Sequence, residues 1–366
     1  MTQSTKEWTI TTLGEVSDLQ KGMMITAKSA QAGQVPVIAG GKTPAYFHSE
    51  SNRPSKTITV SASGAYAGYV AFHSGPIWAS DCVTAVPKSD QGCTPEFLYY
   101  FMLSRQNEIY GLQRGSGMPH VYAKDLALLE MALPVLEVQN RIVETLNEHL
   151  SRLDKALLEV GEAKVDLLTL ERAILHESFT SDVDELEKVD FKDFFSVVQP
   201  KYEGYKQKDY KIKGTLPIID QGSALVGGYV NETTRRISVQ KPLVIFGDHT
   251  RCVKYVDFDF AMGADGTKML EPRENVDSKF AYLQLRGKEL RNRGYARHMS
   301  ELRKERFWLP AMDTQSEVTQ KVERAFEHSK ALREQIEAQE RAVDVLRRSL
   351  LHAALSGKMK GSKSNG

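Results

Sequence analysis

Residues 244–250 read VIFGDHT, and Asp257 and Asp259 follow shortly after Asp248 and His249. Carboxylate and imidazole donors grouped in this way could hold a divalent cation, which would activate water for hydrolysis. The same residues also close a run of Val, Ile and Phe, where Asp and His commonly turn the chain. His120 and Asp125 carry the same two readings. His176 and His352 lie in a phrase written twice, AILHESFTS (173–181) and SLLHAALSG (349–357). In the last turn of a helix an imidazole interacts favourably with the free carbonyls and the dipole, a structural role rather than a chemical one.

Other chemistry is excluded by spacing. The GGKT at 40–43 lacks the glycine that a phosphate loop needs five residues before Gly41, since that position is Pro36. Pro44 follows at once and opposes a helix running through Lys42 and Thr43. None of the 13 prolines is adjacent to another, so the Asn/Asp-Pro-Pro-aromatic loop of amino-methyltransferases is absent. Gly64 and Gly68, or Gly227 and Gly228, make no dinucleotide fingerprint. The chain reads as catalytically empty, with no catalytic residue and no metal ligand.

What remains is binding. Cations and aromatics gather in loops that border short strands, where they could neutralise phosphates and touch base edges. The first part of the chain offers Lys28, Lys42, Arg53, Tyr66, Tyr69 and Arg105. QRGSGMPHVYAKD (113–125) adds Arg114, Ser116, His120, Tyr122 and Lys124, and KYEGYKQKDYKIK (201–213) adds Tyr205, Lys206 and Lys208. Arg235 and Arg236 precede GDHTRCVKY (247–255), which holds His249, Thr250, Arg251 and Lys254. Lys268 and the stretch RNRGYARHMS (291–300), with Arg291, Arg293, Tyr295, Arg297 and His298, complete the set.

Charge distribution supports one part of this set more than another. Net charge is +1 over 366 residues, but residues 190–308 hold 22 Lys and Arg against 16 Asp and Glu. Residues 135–189 hold 6 against 13, and residues 1–134 are balanced at 10 each. The third segment suits a polyanion; any basic face in the first must be local. Three cysteines without a C-x-x-C pair argue against a disulfide framework or zinc knuckle. No signal peptide and no apolar run of membrane-spanning length is recognisable, and a cytoplasmic location is expected.

The elements that position these loops come in duplicate. VPVI (35–38) answers LPII (216–219), and TITVSASGAYAGYVAF (57–72) answers PLVIFGDHTRCVKYVDF (242–258). PEFLYYFML (95–103) answers SKFAYLQLR (278–286), and Leu133-Pro134 answers Leu309-Pro310. Each unit opens with short Val/Ile/Thr/Tyr runs punctuated by Gly, Asn, Asp and Pro, and includes one helix, which is an α+β pattern. Each closes in a long helix. Leu146, Leu150, Leu153, Leu157, Val160, Leu167 and Ile174 form one seam; Val318, Val322, Ala325, Leu332, Ile336, Val343, Leu346 and Leu350 form the other. Spacing near 3.5 over several heptads predicts coiled-coil packing, antiparallel within one chain, along a rod of roughly 65 Å. Thr314-x-x-Glu317 is a capping box for the second helix and Gly357 a stop. The expected layout is an α+β domain over 1–134, a helix over 135–181, a second α+β domain over 182–310, a helix over 311–358 and a tail over 359–366. An internal pseudo-two-fold relates the halves.

The phrases VIFGDHTRCVKYVDFDFAMGADGTKML, ITVSASGAYAGYVAF and GSGMPHVYAKDL resemble target-recognition domains of type I restriction–modification specificity subunits. LPVLEVQNRIVETL, LHESFTS and LHAALSGKM resemble that family's repeated helices, in the same order along nearly the whole chain. The resemblance implies a non-catalytic subunit whose two recognition domains each read half of a split, asymmetric site in double-stranded DNA, with the helices fixing the gap. It also implies two methyltransferase subunits and restriction subunits as partners. S-adenosylmethionine, ATP and Mg would be used only by those partners. The alternatives are a metal-dependent nuclease built on Asp248, His249 and Asp257, and a dimeric coiled-coil scaffold that binds no DNA.

Overall fold

The computed structural model describes residues 8–115, 117–180, 187–291, 294 and 296–356. The chain divides into two compact units, residues 1–160 with 338–366, and residues 161–337.

In the first unit, β1 (Thr9–Thr12) pairs antiparallel with β9 (Glu130–Leu133). One helical turn, α1 (Leu13–Val16), follows; the Glu15 carboxylate accepts the Thr12 backbone N–H at 2.9 Å and fixes its start. A four-stranded sheet then runs β2 (Ser17–Lys21), β8 (Cys82–Pro87), β5 (Thr57–Ser61), β6 (Val70–His73). A smaller sheet sets β3 (Val35–Ile38) between β4 (Tyr46–His48) and β7 (Trp78–Ala79), with β3 and β7 parallel. Because β5 has a strand on each side and packing on both faces, TITVS is buried at every position. α2 (Pro95–Ser104) starts where Thr94 Oγ1 accepts the Phe97 N–H at 3.2 Å. α3 (Gln106–Gly111), α4 (Ala123–Leu126) and the long α5 (Leu136–Thr180) follow. Leu13, Ile58, Val60, Phe97, Leu98 and Met102 make a core without solvent exposure, and Leu146 of α5 joins it.

The second unit repeats this plan strand for strand. β10 (Lys188–Asp190) pairs with β18 (Arg306–Trp308), and α6 (Phe191–Phe194) is the first turn. The four-stranded sheet runs β11 (Phe195–Val198), β17 (Thr267–Pro272), β14 (Leu243–Gly247), β15 (Val253–Val256). β12 (Leu216–Ile219) lies between β13 (Gly228–Val230) and β16 (Ala261–Met262), again parallel to the latter. VPVI and LPII are therefore the same strand in two copies, and TITVS and LVIFG another. α7 (Ser278–Arg286), α8 (Met299–Leu302) and α9 (Met312–Leu355) complete the helices. The core is aromatic here: Phe194, Phe246, Phe280 and Phe307 are fully buried, and the Phe194 and Phe307 rings stack at 4.7 Å.

Each long helix is pinned near its start by a buried glutamine. Gln139 accepts the Thr94 N–H at 2.9 Å and donates to the Gly92 and Pro134 carbonyls at 2.7 and 2.8 Å. Gln315, 176 residues on, accepts the Asp277 N–H at 2.8 Å and donates to the Asn275 and Pro310 carbonyls at 3.0 and 2.9 Å. Both side chains are sealed from solvent. α9 begins at Met312, so Thr314 sits inside its first turn and the expected capping box is not the start signal. The proline and the glutamine set the start in both units. Gly357 lies outside the described residues.

Within each unit the end of one long helix lies beside the start of the other. In the first, Ile142, Leu146 and Leu150 share a cluster with Leu351 and Ala354, while Asp154 pairs with Arg347. In the second, Leu175 and Phe179 cluster with Val322, and Glu171 pairs with Arg333 at 2.8 Å. The helices are antiparallel in both. Val160, Leu167 and Val343 are buried, and Leu153, Leu157, Ile174, Ile336 and Leu350 are half-buried. Leu332 and Leu346 do not belong to the seam; they are exposed at 45% and 56%. The 3–4 spacing from Val322 passes through Arg333 and Arg347 instead, and those positions hold cations because acidic residues of α5 face them. The repeated LH phrase is explained by its leucines: Leu175 and Leu351 are buried, whereas His176 and His352 are exposed.

Candidate nucleic-acid interface

In each unit the strands of the two sheets end in the same set of loops. In the first unit the loop after β5 is tied to residues 113–122: Val121 N–H donates to the Ala62 carbonyl at 3.0 Å and Gly64 N–H to the Pro119 carbonyl at 3.1 Å. Ala62 N–H donates to the Asp81 carbonyl at 3.2 Å, bringing in the loop before β8. The loop after β3 joins through Lys42, whose ammonium lies over the Tyr66 and Tyr69 rings at 5.1 and 5.6 Å. His120 stacks near Tyr122, with centroids 6.1 Å apart, and Lys124 lies over Tyr122 at 5.9 Å. Lys42, Tyr66, Tyr69, Arg114, His120, Tyr122 and Lys124 therefore fall in one tract, with Lys42, Tyr66, Arg114, Tyr122 and Lys124 at least partly exposed.

The second unit gathers the corresponding loops. His298 N–H donates to the Asp248 carbonyl at 2.8 Å, and Asp248 N–H to the Gly266 carbonyl at 2.6 Å. Gln221, just after β12, accepts the His249 N–H on its side chain at 3.3 Å and the Thr250 hydroxyl on its carbonyl at 2.5 Å. Arg251 donates through Nη1 to the Leu290 carbonyl at 3.0 Å. His249, Thr250, Arg251, Arg291 and Arg297 thus share one edge. Gln221 is the hub that sequence reasoning missed, because nothing in DQGSA distinguishes a structural glutamine from a loop glutamine.

The backbone of this edge is left-handed at two non-glycine positions, Arg251 and Asp265. Arg251 has φ +62°, a left-handed conformation that L side chains rarely adopt. Gly247 allows the tight turn, since a Cβ there would meet Thr250 Oγ1 at 2.2 Å. Replacing Arg251 by glycine relieves the strain but also removes the bond to the Leu290 carbonyl, so stability should change by no more than about 1 kcal/mol, while DNA binding weakens. Thermal unfolding and a DNA titration of the same protein check the small first effect and the larger second one.

Several expected contacts are spent inside the protein. Arg53 donates to Thr84 Oγ1 at 3.0 Å and to the Asn52 and Lys21 carbonyls at 2.7 and 3.1 Å, so its guanidinium braces strand ends. Lys254 is 5% exposed, with its ammonium 3.4 Å from both Asp220 Oδ1 and the Leu225 carbonyl. Burial holds its pKa below the usual lysine range, with Asp220 opposing that shift. His298 has no exposure and sits on the Asp248 carbonyl, while the Asp248 carboxylate accepts the Met299 N–H at 2.7 Å. That bond gives Asp248 a structural role. Tyr205 is buried beneath Arg235, which lies 5.0 Å over its ring, and donates to Glu232 at 3.0 Å.

The remaining candidates lie elsewhere in their units. Arg105 caps α2 and pairs with Glu108 at 3.0 Å, in a hollow lined also by His352. Arg236 pairs with Asp259 at 3.6 Å, and Lys268 is half-buried opposite Phe246. Lys28, Lys206 and Lys208 are exposed. Ser116, Arg293 and Tyr295 lie outside the described residues. Among the described residues no three His, Cys, Asp or Glu side chains gather as a metal site, and no helix is long and apolar enough to cross a membrane.

The sequence profile of the type I restriction modification DNA specificity domain matches residues 5–161, the stretch that holds β1 to β9 and the start of α5. Over residues 5–161 the chain is therefore similar to a type I restriction–modification DNA specificity domain. The loop tract around Arg114 and Tyr122 lies inside that domain. A curated relative, the specificity subunit of the type I restriction enzyme EcoR124I/EcoR124II from Escherichia coli, is 34% identical over 86 residues. That stretch is 23% of this chain and spans 21% of the relative. A chain from a structure titled for complex assembly and conformational transition of the type I R-M system aligns over 98% of this chain and all of its own, at 17% identity and TM-score 0.70. The specificity domain thus sits within a fold shared along the chain. The S subunit from M. genitalium aligns over 99% of both chains at 18% identity and TM-score 0.43.

Proposed function

We propose that this chain is the non-catalytic, DNA-reading subunit of a type I restriction–modification complex and recognises a split, asymmetric site. The supporting observation is the duplicated loop set: two modules of one topology place Arg, Lys, His and Tyr on the same strand ends. Different side chains in the two tracts, Lys42, Tyr66 and Arg114 against His249, Arg251 and Arg297, suit two different half-sites. The antiparallel helices would hold the modules apart and set the gap between half-sites. Linking two readers rigidly raises the effective concentration of the second contact. Methyltransferase subunits using S-adenosylmethionine and restriction subunits using ATP and Mg would supply the chemistry, leaving this chain without a cofactor.

Mapping methylated adenines in cells that express the chain with its methyltransferase partner tests this reading. A single motif of two short blocks and a fixed gap is expected. Removing one heptad from each long helix shortens the rod by roughly 10 Å, about three base pairs. The gap should shrink accordingly while both blocks stay unchanged. Methylation without a motif, or divalent-metal-dependent cleavage by the isolated chain, would overturn the proposal.

A further inference from the structure

The loop that carries Arg114 is closed at its base. Arg114 and His120 exchange backbone hydrogen bonds of 2.9 and 2.8 Å, and Val121 ties the strand that follows to Ala62. The Arg114 side chain remains 60% exposed, yet its Nη2 donates to Asp125 Oδ1 at 2.6 Å. Asp125 is only 10% exposed at its side chain, and its Oδ2 is buried with no hydrogen-bond partner among the described residues. A buried carboxylate with an orphan oxygen is costly, and a purely structural aspartate would be more fully satisfied. What this one achieves is orientation: it grips a single nitrogen of an exposed guanidinium from beneath.

Arginine carries five N–H donors in a planar fork, and one nitrogen is engaged here. The second N–H of Nη2 and one from Nη1 remain for a pair of acceptors lying side by side. In duplex DNA the O6 and N7 edge of guanine presents such a pair in the major groove. Phosphate needs no buttressed fork; a point charge such as that of Lys124, beside Asp125 in α4, suffices for it.

We infer that Arg114, positioned by Asp125, reads a guanine in the half-site of the first module. The assignment rests on the DNA-reading function proposed above. Asp125 acts through Arg114 and touches no base.

The test uses the chain assembled with its methyltransferase partner, and measures binding to the methylated motif and to duplexes changed one base pair at a time. Arg114→Ala and Arg114→Lys should each lower affinity for the native site roughly 10- to 100-fold. They should also abolish discrimination at one G·C pair of one half-site. Asp125→Asn should weaken discrimination at that same pair, with unchanged thermal unfolding showing that the fold is intact. Lys124→Ala should weaken all sequences alike and reduce the salt dependence by about one counterion. If Arg114→Ala behaves like Lys124→Ala, or if neither half-site contains a G·C pair, the assignment falls while the DNA-reading function stands. If the wild-type assembly shows no sequence preference at all, both fall.

Discussion

Gln139→Ala should lower stability by roughly 2–5 kcal/mol, a large effect for a single polar side chain. The substitution removes the partner of three backbone groups: the half-buried Thr94 N–H, the buried Pro134 carbonyl and the Gly92 carbonyl nearer the surface. Where water cannot replace the lost amide, as at Pro134, the penalty exceeds the modest net value of a hydrogen bond. The expected signature is a lower denaturation midpoint with faster hydrogen exchange at the Thr94 amide. Asn140→Ala, one position along on the exposed side of α5, should leave both unchanged. Gln315→Ala should reproduce the loss through the Asp277, Asn275 and Pro310 groups.

Exchanging the first module for the corresponding module of a type I specificity subunit should, under the proposed function, replace one block of the methylated motif and leave the other block and the gap unchanged. The contacts of α5 and α9 dictate where such a graft must fit. Gln139 stays behind with α5, so the incoming module must bring a turn before α2 that offers the same N–H and carbonyl. Leu351 and Ala354 of α9 also stay behind, and they pack into the module's core with Phe97, Leu98 and Met102. A graft that respects these contacts should fold; one that fills the space of Ala354 with a larger side chain should express poorly. Change in both blocks after a well-folded graft would contradict the modular reading.

The duplicated plan was legible in the sequence because its carriers are apolar and periodic. VPVI and LPII, TITVS and LVIFG, and the paired α2 and α7 segments keep their burial pattern when other residues drift. The long helices were legible for the same reason, but their seams were not fully so. Leu332 and Leu346 look like seam residues by type, while the seam itself passes through Arg333 and Arg347, whose partners Glu171 and Asp154 lie far away in sequence. The loop tracts were legible as a composition, and the exposure of their individual side chains less so. Arg53, Tyr205, Lys254 and His298 have side chains suited to DNA, but whether a loop cation faces solvent depends on carbonyls and carboxylates brought in by other strands. Gln139, Gln221 and Gln315 gave no signal, since a buried glutamine and an exposed one are spelled alike.

The two charged pairs along the helices bear on how tolerant the complex can be toward its target. In the proposed arrangement, sliding one helix past the other by a heptad would set Glu171 against Phe326 or against Glu340. It would likewise set Asp154 against Ala354 or Glu340. Glu171 keeps Arg286 at 3.0 Å, but each alternative loses both helix-to-helix pairs and sets one carboxylate against Glu340, which disfavours the slipped states. The helix pair would then behave as a ruler with a single graduation. Sites whose halves are one base pair too close or too far should be refused, rather than accepted with reduced efficiency.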